Sequence, residues 1–128
     1  MEFLFIVGRV LVGGYFMQAG YNHFKHVKML AGYAGSKGVP MPREAVLLTG
    51  LMMFLGGLGV LLGVYVTYSI YLLVVFLLVT TFMMHNFWKV TDQNMRMSEE
   101  INFKKNLALM GALLLMLAIP LPWAVALF

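Results

Sequence analysis

Between Glu44 and Lys89 the chain carries no Asp, Glu, Lys or Arg. A run of that length holds two helices of about 20 residues each and a tight turn, which is what two crossings of a hydrocarbon core about 30 Å thick require. Two further apolar stretches flank it, so four spans are predicted: residues 3–24, 45–66, 67–88 and 107–128. None of them alternates apolar and polar residues as a barrel strand does. Helices also satisfy their own backbone groups, as lipid demands. The expected fold is therefore all-α: a four-transmembrane-helix bundle forming a single domain over residues 1–128. Composition agrees, since only 11% of the 128 residues are charged. A soluble domain carries about 25%, and a chain this small has too much surface for water to tolerate the deficit. The bilayer is the first predicted partner.

The links between spans set the expected orientation. Loop 25–44 carries Lys25, Lys28, Lys37 and Arg43, and loop 89–106 carries Lys89, Arg96, Lys104 and Lys105. The turn, expected around residues 63–67, has no Lys or Arg. The positive-inside rule puts both basic loops in the cytoplasm and both termini outside. Tyr65, Tyr68 and Trp123 then fall near the outer interface, and Tyr21, Phe87 and Trp88 near the inner one. Met1 and Glu2 give residues 3–24 no basic start, so this stretch reads as a span and not as a leader. In the first loop Val27, Leu30, Tyr33 and Ala34 follow helical spacing, predicting a short interfacial helix. Gly35 or Gly38 ends it, and Pro40 and Pro42 restart the chain. Residues 92–102 read as polar and part helical, with Asp92, Glu99 and Glu100 solvated. Pro120 and Pro122 either kink the last span or mark its exit from the membrane.

Chemistry-bearing residues are few. There is no cysteine, hence no disulfide and no thiol relay. The basic residues are too scattered for nucleic acid. Arg9 is the one charge inside a predicted span, and such a charge turns to a partner or a cavity. It shares a helical stripe with Gly13, Phe16, Gly20 and His23. Gln18 and Asn22 form a second polar stripe, read as interhelical glue. Thr81 and His85 share a face of the third span, and His85 matches His23 in depth. Two such histidines suit a quinone or a proton relay. Haem or metal ligation is the less favoured reading, because His23 and His26 alone do not close a metal site. The 12 methionines read as soft packing residues. Gly56, Gly59 and Gly63 form one small-residue face of the second span, with Gly50 and Gly57 on another; both signal close helix packing.

Arg9, Gly20-Tyr-Asn-His23-Phe, Gly38-Val-Pro-Met-Pro42, Gly50, Gly56-Gly57, Leu62-Gly63, His85-Asn-Phe-Trp88 and Phe103-Lys-Lys-Asn-Leu107 follow one another in an order that resembles the DoxX family of small membrane proteins. The resemblance implies a four-helix bundle in a prokaryotic plasma (inner) membrane. It also implies association with quinone-linked oxidoreductases, since the family is named after a subunit associated with an archaeal terminal quinol oxidase. Two positions depart from the pattern: many members have Lys at His23 and an intramembrane Glu at Met53. The expected function is a small subunit of a quinone-linked membrane oxidoreductase complex, not catalytic alone, with Arg9, His23, His85, Gln18, Asn22 and Thr81 as its polar site. The alternatives are a non-catalytic scaffold or assembly factor, a homo-oligomer included, and a small-solute or lipid carrier.

Overall fold

The structure, a computed structural model, describes residues 1–124. It contains five α-helices: α1 (Glu2–Lys25), α2 (Val27–Ser36), α3 (Pro42–Leu62), α4 (Val66–Met84) and α5 (Gln93–Met116), with a 3-10 turn at Phe87–Lys89 between the last two. No strand occurs among the described residues. Among the described residues three helical segments are long and apolar enough to cross a membrane: Glu2–Lys25, Pro42–Leu62 and Val66–Lys89. α1 packs on α3, α3 on α4 and α4 on α5, so α3 and α4 form the middle of the bundle.

Local chemistry explains the breaks. Pro42 opens α3 at a position where its missing N–H costs nothing. Gly63 closes α3 in the left-handed region at φ 72°, donating to the Gly59 carbonyl at 2.8 Å. α4 restarts at Val66, so the turn falls where the charge-free run predicted it. α2 is the expected short helix after the first span, and Gly38 follows its end with φ 83°.

The glycines of α3 divide between two neighbours. A Cβ on Gly57 would stand 2.6 Å from the Gly13 carbonyl oxygen, and one on Gly20 would stand 2.6 Å from that of Gly50. The α1–α3 contact is thus an antiparallel seam closed at two places by glycine pairs, which lets the backbones touch. Gly56 and Gly59 turn the other way, against Leu73 and Ser69 of α4. On α1 the inward stripe is Arg9, Gly13, Phe16 and Gly20.

The last segment differs from the expected span over 107–128. Its helix begins far earlier, because Asp92 caps it: the carboxylate accepts from the backbone N–H of Asn94 at 2.9 Å and of Met95 at 3.2 Å. It also ends at Met116, ahead of Pro120 and Pro122, and the chain continues as turns. Proline has no N–H and disfavours helix at the residue before it. The two prolines therefore mark an exit from the helix, not a kink within it. The apolar helical part, from Asn106 to Met116, reaches only about half of a hydrocarbon core at 1.5 Å per residue. The remainder of the expected span, residues 125–128, lies outside the described residues. Trp123 is no interfacial belt residue either, being only 2% exposed and packed edge-on against Phe5 at 5.1 Å. Tyr65 and Tyr68 are exposed.

Candidate functional site

The polar residues of the bundle gather at its two ends. The α3–α4 turn lies at one; at the other, the loops after α1 and α4 meet. Side chains of both loops bond to each other, so these loops share a side.

Arg9 belongs to the turn end. It is 4% exposed, and its guanidinium donates to the carbonyls of Val60 at 3.3 Å, Leu61 at 2.9 Å and Ala124 at 2.6 Å. Val60 and Leu61 lie in the last turn of α3, whose carbonyls have no partner within their own helix. The Gly59 carbonyl is taken by Gly63 and Val64, so Arg9 completes the cap and places positive charge at the negative end of the helix. Its guanidinium carbon lies 5.6 Å from the Phe5 ring centre and 5.8 Å from that of Trp123. Arg9 therefore ties α1, α3 and the segment after α5 together, and does not join the histidines.

The loop end holds a cavity of about 340 Å³, walled by α1, α2, α3, α4 and α5. His23 and His85 both line it, as do Phe16, Met53, Phe76 and Leu77. The walls are mainly apolar, with Thr49, Thr80, Tyr33 and Asn106 among the polar exceptions. His23 and Met53, the two positions that depart from the resemblance, thus face one space. The volume falls within the range of about 300–1,000 Å³ usual for small-molecule sites.

Both imidazoles are oriented from behind. His23 Nδ1 lies 2.9 Å from the Ala19 carbonyl oxygen and His85 Nδ1 3.3 Å from Glu99 Oε2. A carbonyl and a carboxylate only accept, so each Nδ1 carries a proton. Glu99 is the hub of a cluster: it also accepts from Lys37 Nζ at 3.3 Å and from the Tyr33 hydroxyl at 3.2 Å. Lys37 reaches Asn86 at 3.2 Å as well. Burial first, then the Glu99 charge, then the hydrogen bond to Glu99 push the Tyr33 phenol above its ordinary range.

Glu99 was expected in a solvated loop and is 8% exposed. The reason is the Asp92 cap, which makes α5 helical through this region and turns Glu99, Asn106, Met110 and Leu113 to one inward face. Their spacing is helical, so the cap together with that spacing is the signal in the sequence that finds Glu99. Glu100, one residue on, is partly exposed and pairs with exposed Lys104.

Besides Arg9, three expected site residues stand elsewhere. Gln18 and Asn22 are exposed on α1, so neither glues two helices of this chain together. Thr81 is fully buried, its hydroxyl without a hydrogen-bond partner among the described residues, and its neighbour Thr80 lines the cavity instead. No group of three or more His, Cys, Asp or Glu among the described residues is arranged to hold a metal ion.

The DoxX family model matches residues 4–86, which covers α1 to α4 and both histidines. The chain belongs to the DoxX family. The match stops short of α5, so Glu99 and the Phe103–Leu107 motif lie beyond it. No curated protein and no solved structure matches this DoxX chain.

Proposed function

We propose that this DoxX protein is a small integral subunit of a quinone-linked membrane oxidoreductase assembly, and that the loop-end cavity is where a quinone-class ring binds. One observation carries the reading: segments distant in sequence bring His23 and His85 to the same apolar cavity, each ring braced at Nδ1 and with no partner at Nε2 among the described residues. Such a space, apolar with a few convergent polar groups, suits a flat lipid-soluble ring. A bound quinone would supply the capacity to carry electrons and protons within the bilayer. The chain's own part is to bind the ring between Phe16, Met53, Phe76 and Leu77, to orient it by hydrogen bonds at the two imidazoles, and to hold His85 in place through Glu99. Electron transfer itself would belong to a partner protein.

In this reading the chain crosses the plasma membrane four times, the apolar stretch from Leu107 onward making the last crossing. The basic loops face the cytoplasm, in line with their eight Lys and Arg. Purification from native membranes in mild detergent, followed by lipid extraction and identification of co-purifying proteins, tests the proposal. A quinone together with an oxidase or dehydrogenase supports it; a preparation holding neither overturns it.

A second reading, a non-catalytic scaffold or homo-oligomer, draws on Gln18 and Asn22. An exposed amide within a span has no water to bond and is satisfied by a neighbouring helix. Native mass spectrometry showing only a monomer without a protein partner would remove it.

A further inference from the structure

The cavity's polar residues have an uneven supply of hydrogen-bond donors. His23 spends its Nδ1 proton on the Ala19 carbonyl, and His85 spends its own on Glu99. The Thr49 hydroxyl donates to the Ala45 carbonyl at 2.8 Å, and the Tyr33 hydroxyl donates to Glu99. Lys37 already balances the Glu99 charge at 3.3 Å. A neutral imidazole that donates from Nδ1 accepts at Nε2, and a hydroxyl whose proton is committed keeps only lone pairs. Nε2 of neither histidine has a protein partner among the described residues. Four of the polar residues around the cavity are therefore left as acceptors.

We infer that the cavity selects a ring bearing hydroxyl donors, a hydroquinone or similar diphenol, over the oxidised dicarbonyl form of the same ring. This rests on the cavity reading above and adds which form is held. A carbonyl placed opposite Nε2 sets lone pair against lone pair and leaves both desolvated without a hydrogen bond. A hydroxyl there donates. The remaining polar residues of the wall do not reverse the preference. Asn106, Thr80 and the half-exposed Tyr15 each donate and accept, and a hydroxyl oxygen takes a hydrogen bond from any of them. Lys105 is exposed, at the rim. The diol thus finds an acceptor for each of its two hydroxyls, whereas the dicarbonyl suits only the donors. His23 and Thr49 act here as specificity-determining residues, and Glu99 as a positioning residue that fixes which nitrogen of His85 carries the proton.

The test is binding by calorimetry to the full chain in detergent, under argon, with a short-chain benzoquinone and with its hydroquinone as the two probes. Two added hydrogen bonds predict a hydroquinone affinity about tenfold or more above that of the quinone. His23→Phe removes one acceptor and keeps a ring; it lowers hydroquinone affinity by about fivefold and narrows the gap between the two probes. Thr49→Val acts in the same direction and serves if the first variant does not fold. Equal affinities, or tighter binding of the quinone, overturn the inference and leave the cavity reading standing. Weakening of both probes alike in both variants overturns the role given to the acceptors. Failure of both probes to bind the wild-type chain overturns the cavity reading itself.

Discussion

The turn end and the loop end of this bundle both bury polar side chains, and they treat them in opposite ways. At the turn end Arg9 directs its donors to backbone carbonyls, is flanked by Phe5 and Trp123, and closes the last turn of α3. At the loop end His23 and His85 are each fixed by one nitrogen, and both residues line a cavity. The first arrangement consumes hydrogen-bonding capacity to hold three segments together. The second holds some in reserve. An intramembrane polar residue is therefore not a functional residue by virtue of its depth alone; what distinguishes the two ends is whether the neighbours exhaust it.

The contrast breaks first at the α1–α3 seam, which supports both ends. Gly57→Leu drives a side chain into the Gly13 backbone and is expected to destabilise the fold by about 3 kcal/mol or more. Gly14→Leu, at a glycine with open space around it, serves as the control. Size-exclusion chromatography in detergent should show loss of the monodisperse peak for the first and not the second. Next in size, Arg9→Ala removes the donors that cap α3 and is expected to cost about 2–4 kcal/mol in denaturant titration. Cavity binding should survive that substitution at temperatures where the protein stays folded.

Glu99→Gln sharpens the comparison from the other side. It weakens the bonds to Lys37, His85 and Tyr33, for an expected cost of about 1–2 kcal/mol. Hydrogen exchange should quicken in α2 while the turn between α3 and α4 stays protected. The smallest effect is on Tyr33, whose phenol titrates above its ordinary range. Because the folded state holds that proton more tightly than the unfolded one, the associated stability is present below the ordinary phenol range and lost as pH rises through the raised value. Ultraviolet titration should show the raised value in the wild-type chain. A partial return should follow in Glu99→Gln, since burial remains when the charge is removed.

How far the sequence discloses this arrangement depends on what kind of group does the bonding. The charge-free run from Ala45 to Trp88 and the breaks at Pro42 and Gly63 are written in side chains, and α3, the turn and α4 follow from them. The α1 stripe from Arg9 to Gly20 is legible by periodicity for the same reason. The acceptors of Arg9 are main-chain carbonyls, which every residue has, so nothing in the sequence marks Val60, Leu61 or Ala124 as its partners. Residues 92–102 read as part helical and form the cap and first turns of α5, but hydropathy alone does not join them to the apolar half in one helix, which the Asp92 cap opens and the prolines beyond Met116 close. Glu99 was missed for that reason. His23 and His85 were matched by depth, but the cavity they share depends on packing among five helices.

The most direct measurement fills the cavity and asks what the protein carries. Ala19 lines the cavity beside His23, and Ala19→Leu occupies part of the space without touching the Arg9 end. Wild-type and variant protein, each purified from native membranes in mild detergent with matched thermal stability, are extracted and their quinone content is measured per chain by mass spectrometry. The account predicts near-stoichiometric quinone in the wild type and a several-fold loss in the variant. Equal content in the two proteins, or none in the wild type, would contradict it.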